Sequence, residues 1–322
     1  MLNETLRRAG HIDNRQVAMI VPADGVLDRS RQAHAKLHRA LLKTAWGRDH
    51  QRSVALVDGV DVLANATQYD LAAVLDQEPV RVRAIGEIFP RPADRSGGAA
   101  RELVELLLTE AERDGRAMAL LFSDRNDEHL PDGFEVVPTV EAELRVTESS
   151  RRGAPMTLIR GGEERDLAAI AAMGQVRAHP FRFHLDRDVD FVQYAITKKR
   201  LLAGLGQAGA RQLHFFIAEE GITAAAYVAI TIVGDTWTIE ECGDRDPSGA
   251  RVGAILQALI AREPVERRPT IRAWLPRGFV PPQVTIVSAK PSTESLMVRS
   301  LGSRAQPRLS GDDVLYWRSD IF

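Results

Sequence analysis

A glycine-containing segment between a predicted strand and a predicted amphipathic helix constrains the fold more than any other part of the sequence. The segment reads Arg95-Ser96-Gly97-Gly98-Ala99-Ala100, and the helix after it has one apolar face formed by Leu103, Leu106, Leu107 and Ala111. The first backbone N–H groups of a helix have no partner within it and lie at the positive end of its dipole. The glycines would let a ligand approach closely. The segment therefore predicts a phosphate or pyrophosphate site, with a plain strand-to-helix turn as the alternative.

Neither of the two common nucleotide motifs fits this segment. The Walker motif requires Gly-Lys-Ser or Gly-Lys-Thr, which is missing. The dinucleotide fingerprint requires three glycines spaced as G-x-G-x-x-G, whereas Gly97 and Gly98 are an adjacent pair. The segment is therefore assigned to neither class of site.

The flanking patterns predict an α/β fold with a mixed sheet. The segment 80–85 alternates apolar residues with Arg81 and Arg83, which predicts a strand with one solvent-exposed face. The segment 117–122 is wholly apolar, as in a buried strand beside a parallel neighbour. Asp58-Gly59 follows an apolar run and predicts a hairpin.

The chain has 322 residues, about the length of two domains. The polar stretch 148–155, which contains Gly153 and Pro155, is the best boundary. We therefore predict domains at 1–147 and 155–322. The order of strands and helices recurs after the boundary, although the residues do not.

The residues around the glycine segment resemble a known superfamily. Arg95-x-x-Gly98-x-Ala100 is similar to the acyl-CoA motif, Q/R-x-x-G-x-G/A, of the GCN5-related N-acetyltransferases. Pro92 precedes the arginine by three residues, and Gly133-Phe134 stands where the superfamily has Leu-Gly-Phe. The match covers roughly residues 54 to 137.

The resemblance implies two related units, each a twisted mixed β-sheet flanked by helices. It implies that the strand before the loop splays from its neighbour and admits the pantetheine arm of acetyl-CoA or another short acyl-CoA. Backbone groups of Ile88 and Phe89 would bind that arm. The pyrophosphate would bind the backbone amides of Arg95, Ser96, Gly97, Gly98, Ala99 and Ala100.

A second segment, 242–254, also follows a strand and opens a helix, but its spacing departs from the motif. Arg251 stands where a glycine of the family would be. We expect this half to be degenerate: it would support the fold and enclose the substrate site without binding CoA.

The resemblance also directs the search for an acid and a base, because amine acetylation requires both. Glu87, on the strand before the loop, is the candidate base. The alternative is a carboxylate on the exposed face of the strand, paired with Arg83 or Arg91. The tyrosine that serves as the acid in the family is missing, which leaves His129 and Tyr69 as substitutes.

The last residues supply another candidate. Phe322 follows an apolar strand pattern, and the segment resembles the enhanced-intracellular-survival acetyltransferases, whose terminal carboxylate reaches the catalytic site. The Phe322 carboxylate is thus a third candidate, and the alternative is a tail that packs on the second half.

The bulk properties exclude several other classes. A net charge of -2 without basic clusters argues against nucleic acid as a partner. No apolar run reaches membrane-spanning length, so we expect a cytoplasmic protein without a membrane partner.

Cys242 is the only cysteine, which excludes an internal disulfide, and we expect it to be a small buried hydrophobe. No metal site is predicted, because the residues around His179 and His184 match no known ligand set. A monomer and a homodimer both remain open.

These patterns predict an enzyme that transfers an acetyl or short acyl group from acyl-CoA to a primary amine of a small molecule or amino acid. Two alternatives remain. One is a CoA-binding sensor or scaffold without catalysis, which the missing tyrosine favours. The other is aminoacyl transfer from charged tRNA, against which the charge distribution argues.

Overall fold

The computed structural model describes residues 37–58, 61–90, 98–124, 132–147, 158–205, 209–303 and 305–320. These residues form two compact units. The first unit contains the described residues up to Pro138 together with Thr293–Ser310. The second contains Thr139–Ser292 and the described residues from Gly311 onward.

The first unit is a mixed sheet with helices. Residues 37–41 are helical. The elements that follow are α1 (Ala45–His50), β1 (Gln51–Asp58), β2 (Asp61–Leu75), β3 (Glu78–Pro90), α2 (Ala99–Arg113), β4 (Met118–Asp124) and β5 (Glu135–Val137). Strands β1, β2 and β3 pair antiparallel in that order, and β3 pairs parallel with β4. The predicted hairpin after Val57 and the predicted strand at 117–122 are therefore confirmed.

The second unit contains a larger set of strands. Its elements are β6 (Val140–Val146), β7 (Leu158–Gly161), α3 (Leu167–Ala178), β8 (Phe183–Leu185), α4 (Val189–Ala203), β9 (Gln212–Glu220), β10 (Thr223–Val233), β11 (Thr236–Asp244), α5 (Ala250–Ile260), β12 (Thr270–Ala273), β13 (Val284–Pro291) and β15 (Val314–Leu315). The main sheet has the order β13-β6-β12-β11-β10-β9-β7. In that sheet β11 and β12 pair parallel, and the other neighbouring pairs are antiparallel. Strands β8 and β15 pair in parallel.

The order of strands along the chain does not follow the division into two units. Strand β14 (Glu294–Ser300) belongs to the first unit, where it pairs antiparallel with both β4 and β5. Strand β6 belongs to the second unit, where it lies between β12 and β13. Each strand covers an edge that would otherwise expose unpaired backbone groups. The predicted domains at 1–147 and 155–322 divide the chain once, whereas these compact units are discontinuous in sequence.

Helix α2 forms as its pattern predicts. Leu103, Leu106, Leu107 and Ala111 are all buried, and they pack in one cluster with Ala66 of β2 and Ile85 of β3. The chain leaves the helix through Gly115, whose φ is 69°. A glycine adopts this left-handed conformation without the steric cost that a side chain would add.

The exposed face predicted for β3 is wrong at Arg83. Its side chain is only 1% exposed and contacts carboxylates of Asp70 at 3.0 Å and Asp114 at 3.0 Å. It also donates to the amide oxygen of Gln68 at 2.7 Å. A buried guanidinium is tolerated when carboxylates neutralise it, a possibility that the alternating pattern cannot reveal.

Two further observations concern the described part of the chain. None of its helices is long and apolar enough to cross a membrane. Its His, Cys, Asp and Glu side chains form no group of three or more that could hold a metal ion.

Candidate functional site

A wedge opens between the parallel strands β3 and β4. Their register pairs Val82 with Met118 and continues to Ile85 with Leu121. Beyond that pair β3 runs on to Pro90 and β4 to Asp124, and the two strands share no further register. From Gly86 onward β3 and β4 are no longer paired with each other. This is the place at which the sequence resemblance implied a splayed strand.

A β-bulge in β3 sets the direction of the Glu87 side chain. Asn65 pairs with Phe89 and Thr67 with Gly86, so the single residue Ala66 lies opposite two residues, Glu87 and Ile88. Glu87 has a φ of 52°, a left-handed conformation that costs a non-glycine residue on the order of 1–3 kcal/mol.

The bulge reverses the alternation of side chains along β3. Ile85 and Ile88 both pack in the cluster that faces α2, although strict alternation would place them on opposite faces. Glu87 instead reaches Thr67, which neighbours Ala66 on β2 and lies on the face away from α2. The strained residue is therefore the one that carries the carboxylate.

Two side chains contact the same carboxylate oxygen of Glu87. The Thr67 hydroxyl donates to Oε2 at 2.8 Å, and the His38 Nε2 lies 2.8 Å from the same atom. The side chain of Glu87 is 16% exposed, whereas that of His38 is 5% exposed. The expected alternative partner Arg83 is engaged elsewhere, by Asp70 and Asp114. Arg91 lies outside the described residues.

The described part of the predicted anion site is the beginning of α2. Gly98 is the N-cap, with a φ of 77°, and a Cβ built on it would meet no atom of the described residues within 4 Å. Ala99 and Ala100 are buried at the first turn, with their side chains in the core. The first backbone N–H groups of such a helix have no partner within it, which suits a phosphate group. Arg95, Ser96 and Gly97 lie outside the described residues.

The other predicted site residues fall in three places. Ile88 and Phe89 are half-buried on the section of β3 that runs past the register with β4. Tyr69 is fully buried, and its ring stacks on Trp46 at 6.4 Å. His129 and Phe322 lie outside the described residues.

In the second unit a helix also follows a strand, and a carboxylate lies at the N-terminus of that helix. Strand β11 pairs in parallel with β12 only from Thr236 to Ile239, and α5 begins at a glycine, Gly249, with a φ of 73°. The Asp244 carboxylate then accepts the backbone N–H of Arg251 at 2.7 Å and that of Asp246 at 2.8 Å. The Arg251 guanidinium contacts the same carboxylate at 3.1 Å. A carboxylate of the chain itself thus lies at the N-terminus of α5, the kind of position at which α2 is predicted to bind a phosphate.

The bulge of β11 also differs from that of β3. Glu240 is the extra residue, because Ala229 pairs with Glu241 and Ile230 with Ile239. Its carboxylate lies 2.8 Å from the Lys199 ammonium and is nearly buried. Burial alone would raise the pKa of Glu240, but the Lys199 charge and hydrogen bonds outweigh it and hold this pKa below its ordinary value. This carboxylate is therefore a weaker base than an ordinary glutamate.

Sequence reasoning missed a buried charge cluster in the second unit. Arg187 forms two parallel hydrogen bonds with Glu241, at 2.8 and 2.7 Å, and contacts Asp320 at 3.3 Å. Tyr227 and Ser319 donate to the same Glu241 carboxylate. The five residues come from distant parts of the sequence, so no local pattern announces them. They join residues 319–320 to the interior of the second unit.

Cys242 is buried in the core of the second unit, as expected. Burial raises the pKa of its thiol well above the ordinary value, and the nearby Glu241 carboxylate adds to this effect. The thiol is therefore un-ionised near neutral pH, which does not suit a nucleophile.

No protein-family model matches the sequence, and no curated protein matches it. Solved structures do match the fold. A GCN5-related N-acetyltransferase from Kribbella flavida aligns with a TM-score of 0.57 and 14% identity, over 93% of this chain and 68% of its own. A protein of unknown function from Enterococcus faecalis V583, described as a probable N-acyltransferase, aligns with a TM-score of 0.58 and 12% identity, over 93% and 69%.

A third structure, a GCN5-related N-acetyltransferase from Anabaena variabilis, aligns with a TM-score of 0.57 and 12% identity, over 84% of this chain and 71% of its own. The predicted fold class, two mixed sheets flanked by helices, is confirmed. The chain therefore has the fold of the GCN5-related N-acetyltransferases.

Proposed function

We propose that this protein transfers an acetyl or short acyl group from acyl-CoA to the primary amine of a small molecule or amino acid. The observation that carries the proposal is the wedge between β3 and β4, which opens at the bulge where Glu87 lies. The N-terminus of α2 follows the same strand, and no atom of the described residues lies within 4 Å of a Cβ built on its N-cap, Gly98. A thioester arm and a diphosphate would find separate binding groups here.

In the proposed complex the pyrophosphate binds the amides at the start of α2, including those of Gly98, Ala99 and Ala100. The pantetheine arm lies along β3 past Ile85 and contacts backbone groups of Ile88 and Phe89. Each chain binds one acyl-CoA, because Asp244 supplies its own carboxylate at the corresponding place in the second unit.

In the proposed reaction Glu87 accepts a proton from the substrate ammonium, directly or through water. The amine nitrogen then forms a bond to the thioester carbonyl carbon, and the carbon–sulfur bond breaks. The nitrogen gives up its second proton to become an amide, and the departing thiolate takes up a proton and leaves as the free thiol of CoA. Glu87 suits the role of base because its carboxylate is partly exposed, in contrast to Glu240, which an ammonium neutralises.

The test is incubation of the protein with acetyl-CoA and a panel of amines and amino acids while released thiol is measured. Thiol release that requires an amine, together with an acetylated product seen by mass spectrometry, supports the proposal. CoA binding without turnover on the whole panel supports a sensor instead. Binding of charged tRNA at physiological salt, with aminoacyl transfer, supports the second alternative.

A further inference from the structure

We propose that His38 is a positioning residue for the Glu87 base, holding the carboxylate ionised and correctly directed through an Nε2–H donor. This inference rests on the proposed acyl transfer. It concerns a residue that no motif in the sequence indicates. It follows from the hydrogen bonds around the imidazole and from a comparison with the bulge in the second unit.

The contacts of the other ring nitrogen determine the tautomer of His38. Its Nδ1 lies 3.1 Å from the side-chain amide nitrogen of Gln51 and 3.5 Å from the Ser53 hydroxyl. In this orientation of Gln51 its amide NH₂ group can only donate, so Nδ1 accepts. The neutral ring then carries its hydrogen on Nε2, which lies 2.8 Å from Oε2 of Glu87.

Glu87 thus receives two donors on one oxygen, the His38 Nε2–H and the Thr67 hydroxyl. Donors to a carboxylate favour its charged form and oppose the effect of burial. The same contacts offset part of the strain of the left-handed backbone at Glu87, where φ is 52°. His38 therefore supports both the ionisation and the direction of the carboxylate.

The second unit shows what a cation would do instead. The carboxylate at its bulge, Glu240, has the Lys199 ammonium at 2.8 Å, and its pKa lies below the ordinary value in spite of burial. A full positive charge stabilises a carboxylate so strongly that it becomes a poor proton acceptor. A neutral imidazole supplies the hydrogen bond without that charge. The Lys199–Glu240 pair is therefore suited to a structural role, whereas the His38–Glu87 pair is suited to base catalysis.

In the proposed step the ammonium proton moves to the Glu87 carboxylate, and His38 keeps its own proton. The freed nitrogen lone pair forms the new carbon–nitrogen bond, and the electron pair of the carbon–sulfur bond leaves with the thiolate. His38 touches neither substrate, so it affects the rate only through Glu87.

The test compares the wild type with His38→Leu and His38→Gln. Leucine removes the donor, whereas the glutamine amide can place an N–H near the position of Nε2. We expect His38→Leu to lower kcat by at least about 10-fold, with KM for acetyl-CoA changed by less than about 3-fold. The ascending limb of kcat/KM against pH should move to higher pH, because a carboxylate without its donor holds a proton more tightly. His38→Gln should recover most of the rate, and the ascending limb of its kcat/KM profile should lie at the same pH as in the wild type.

His214→Gln is the matched control, because His214 in the second unit contacts Gln212 at the protein surface. It should leave all kinetic parameters unchanged. The inference is overturned if His38→Leu keeps the wild-type kcat and limb, or if His38→Gln is as impaired as His38→Leu. Thermal melting and acetyl-CoA binding of each variant show whether it is folded.

A second measurement does not depend on turnover. The ¹⁵N shifts of the His38 ring should show the Nε2–H tautomer in the wild type and a changed Nε2 resonance in Glu87→Gln. A ring protonated on Nδ1 instead, or one unaffected by Glu87→Gln, contradicts the inference even if His38→Leu failed to fold. A wild type that acetylates no amine counts against the proposed function, and these shifts then decide the role of His38 separately.

Discussion

The Asp244 carboxylate lies 2.7 Å from the backbone nitrogen of Arg251, at the first turn of α5. The same side chain is fully shielded from solvent and also contacts the Arg251 guanidinium. Both helices begin at a left-handed glycine, Gly98 for α2 and Gly249 for α5. In the second unit a carboxylate of the chain satisfies backbone N–H groups at this helix N-terminus.

Asp244→Ala should destabilise the protein without changing acetyl transfer. The variant leaves helix N–H groups without their acceptor, which costs about 1–2 kcal/mol of unfolding free energy. Urea denaturation measures this loss, and Asp235→Ala in an exposed turn is the control.

Isothermal titration should give one acetyl-CoA per wild-type chain. A stoichiometry of two would contradict the assignment of the binding site to the first unit.

Gly98→Val should abolish acetyl-CoA binding. The glycine has a φ of 77°, and no atom of the described residues lies within 4 Å of a Cβ built on it, so a side chain would intrude where the pyrophosphate is proposed to bind. Gly115→Val is the matched control, because Gly115 ends the same helix with a φ of 69° and equally open space. Both variants should lose about 1 kcal/mol or more of stability from backbone strain. Equal affinities of the two variants in calorimetry would show that the pyrophosphate does not bind at Gly98.

Glu87→Gln should lower kcat by about 100-fold or more while KM for acetyl-CoA changes little. The amide oxygen can still accept from Thr67, so the bulge should remain, but the side chain cannot take a proton. Steady-state kinetics with the best amine of the panel measure the effect. Glu135→Gln, on the exposed part of β5, should behave as the wild type. Wild-type kcat in Glu87→Gln would remove this residue from the mechanism.

Asp320→Asn should change how stability depends on pH. Burial is the largest influence on Asp320 and raises its pKa from 3.8 to about 6, in spite of the Arg187 guanidinium. Because the folded protein holds this proton more tightly than the unfolded chain, the associated stability is present below about pH 4 and lost as pH rises through about 6. The variant should therefore gain stability relative to the wild type between these values and follow a parallel curve above them.

Urea denaturation of both proteins from pH 4 to pH 7 tests this trend. Asp246→Asn, measured below pH 4, should show the opposite sign, because hydrogen bonds from Ser248 hold the pKa of Asp246 below its ordinary value of 3.8. A difference between Asp320→Asn and the wild type that is constant with pH would contradict the raised pKa.

The sequence predicted the features that depend on neighbouring residues. The apolar face of α2, the exit at Gly115 and the buried strand β4 all follow from local patterns, and each is present. The sequence also led to Glu87. It could not show that a bulge turns this side chain to the face of Thr67, because the extra residue is visible only in the register with β2.

Contacts between distant residues were beyond reach. His38 precedes Glu87 by 49 residues and lies in the helical residues 37–41, which carry no motif. Arg83 was expected in solvent because a basic residue on an alternating strand ordinarily faces water, whereas three carboxylates neutralise it here. The pairing of β14 and β6 could not be predicted either, because the sequence of an apolar strand does not identify the strand with which it pairs.

The exchange of β6 and β14 has a consequence for synthesis of the protein. Strands β4 and β5 leave the ribosome long before β14, which completes their sheet. Until then they carry an open edge that other chains could pair with, as nascent sheets do. The sheet of the first unit is therefore completed only after most of the second unit has been synthesised. The first unit cannot finish folding before synthesis of the second begins.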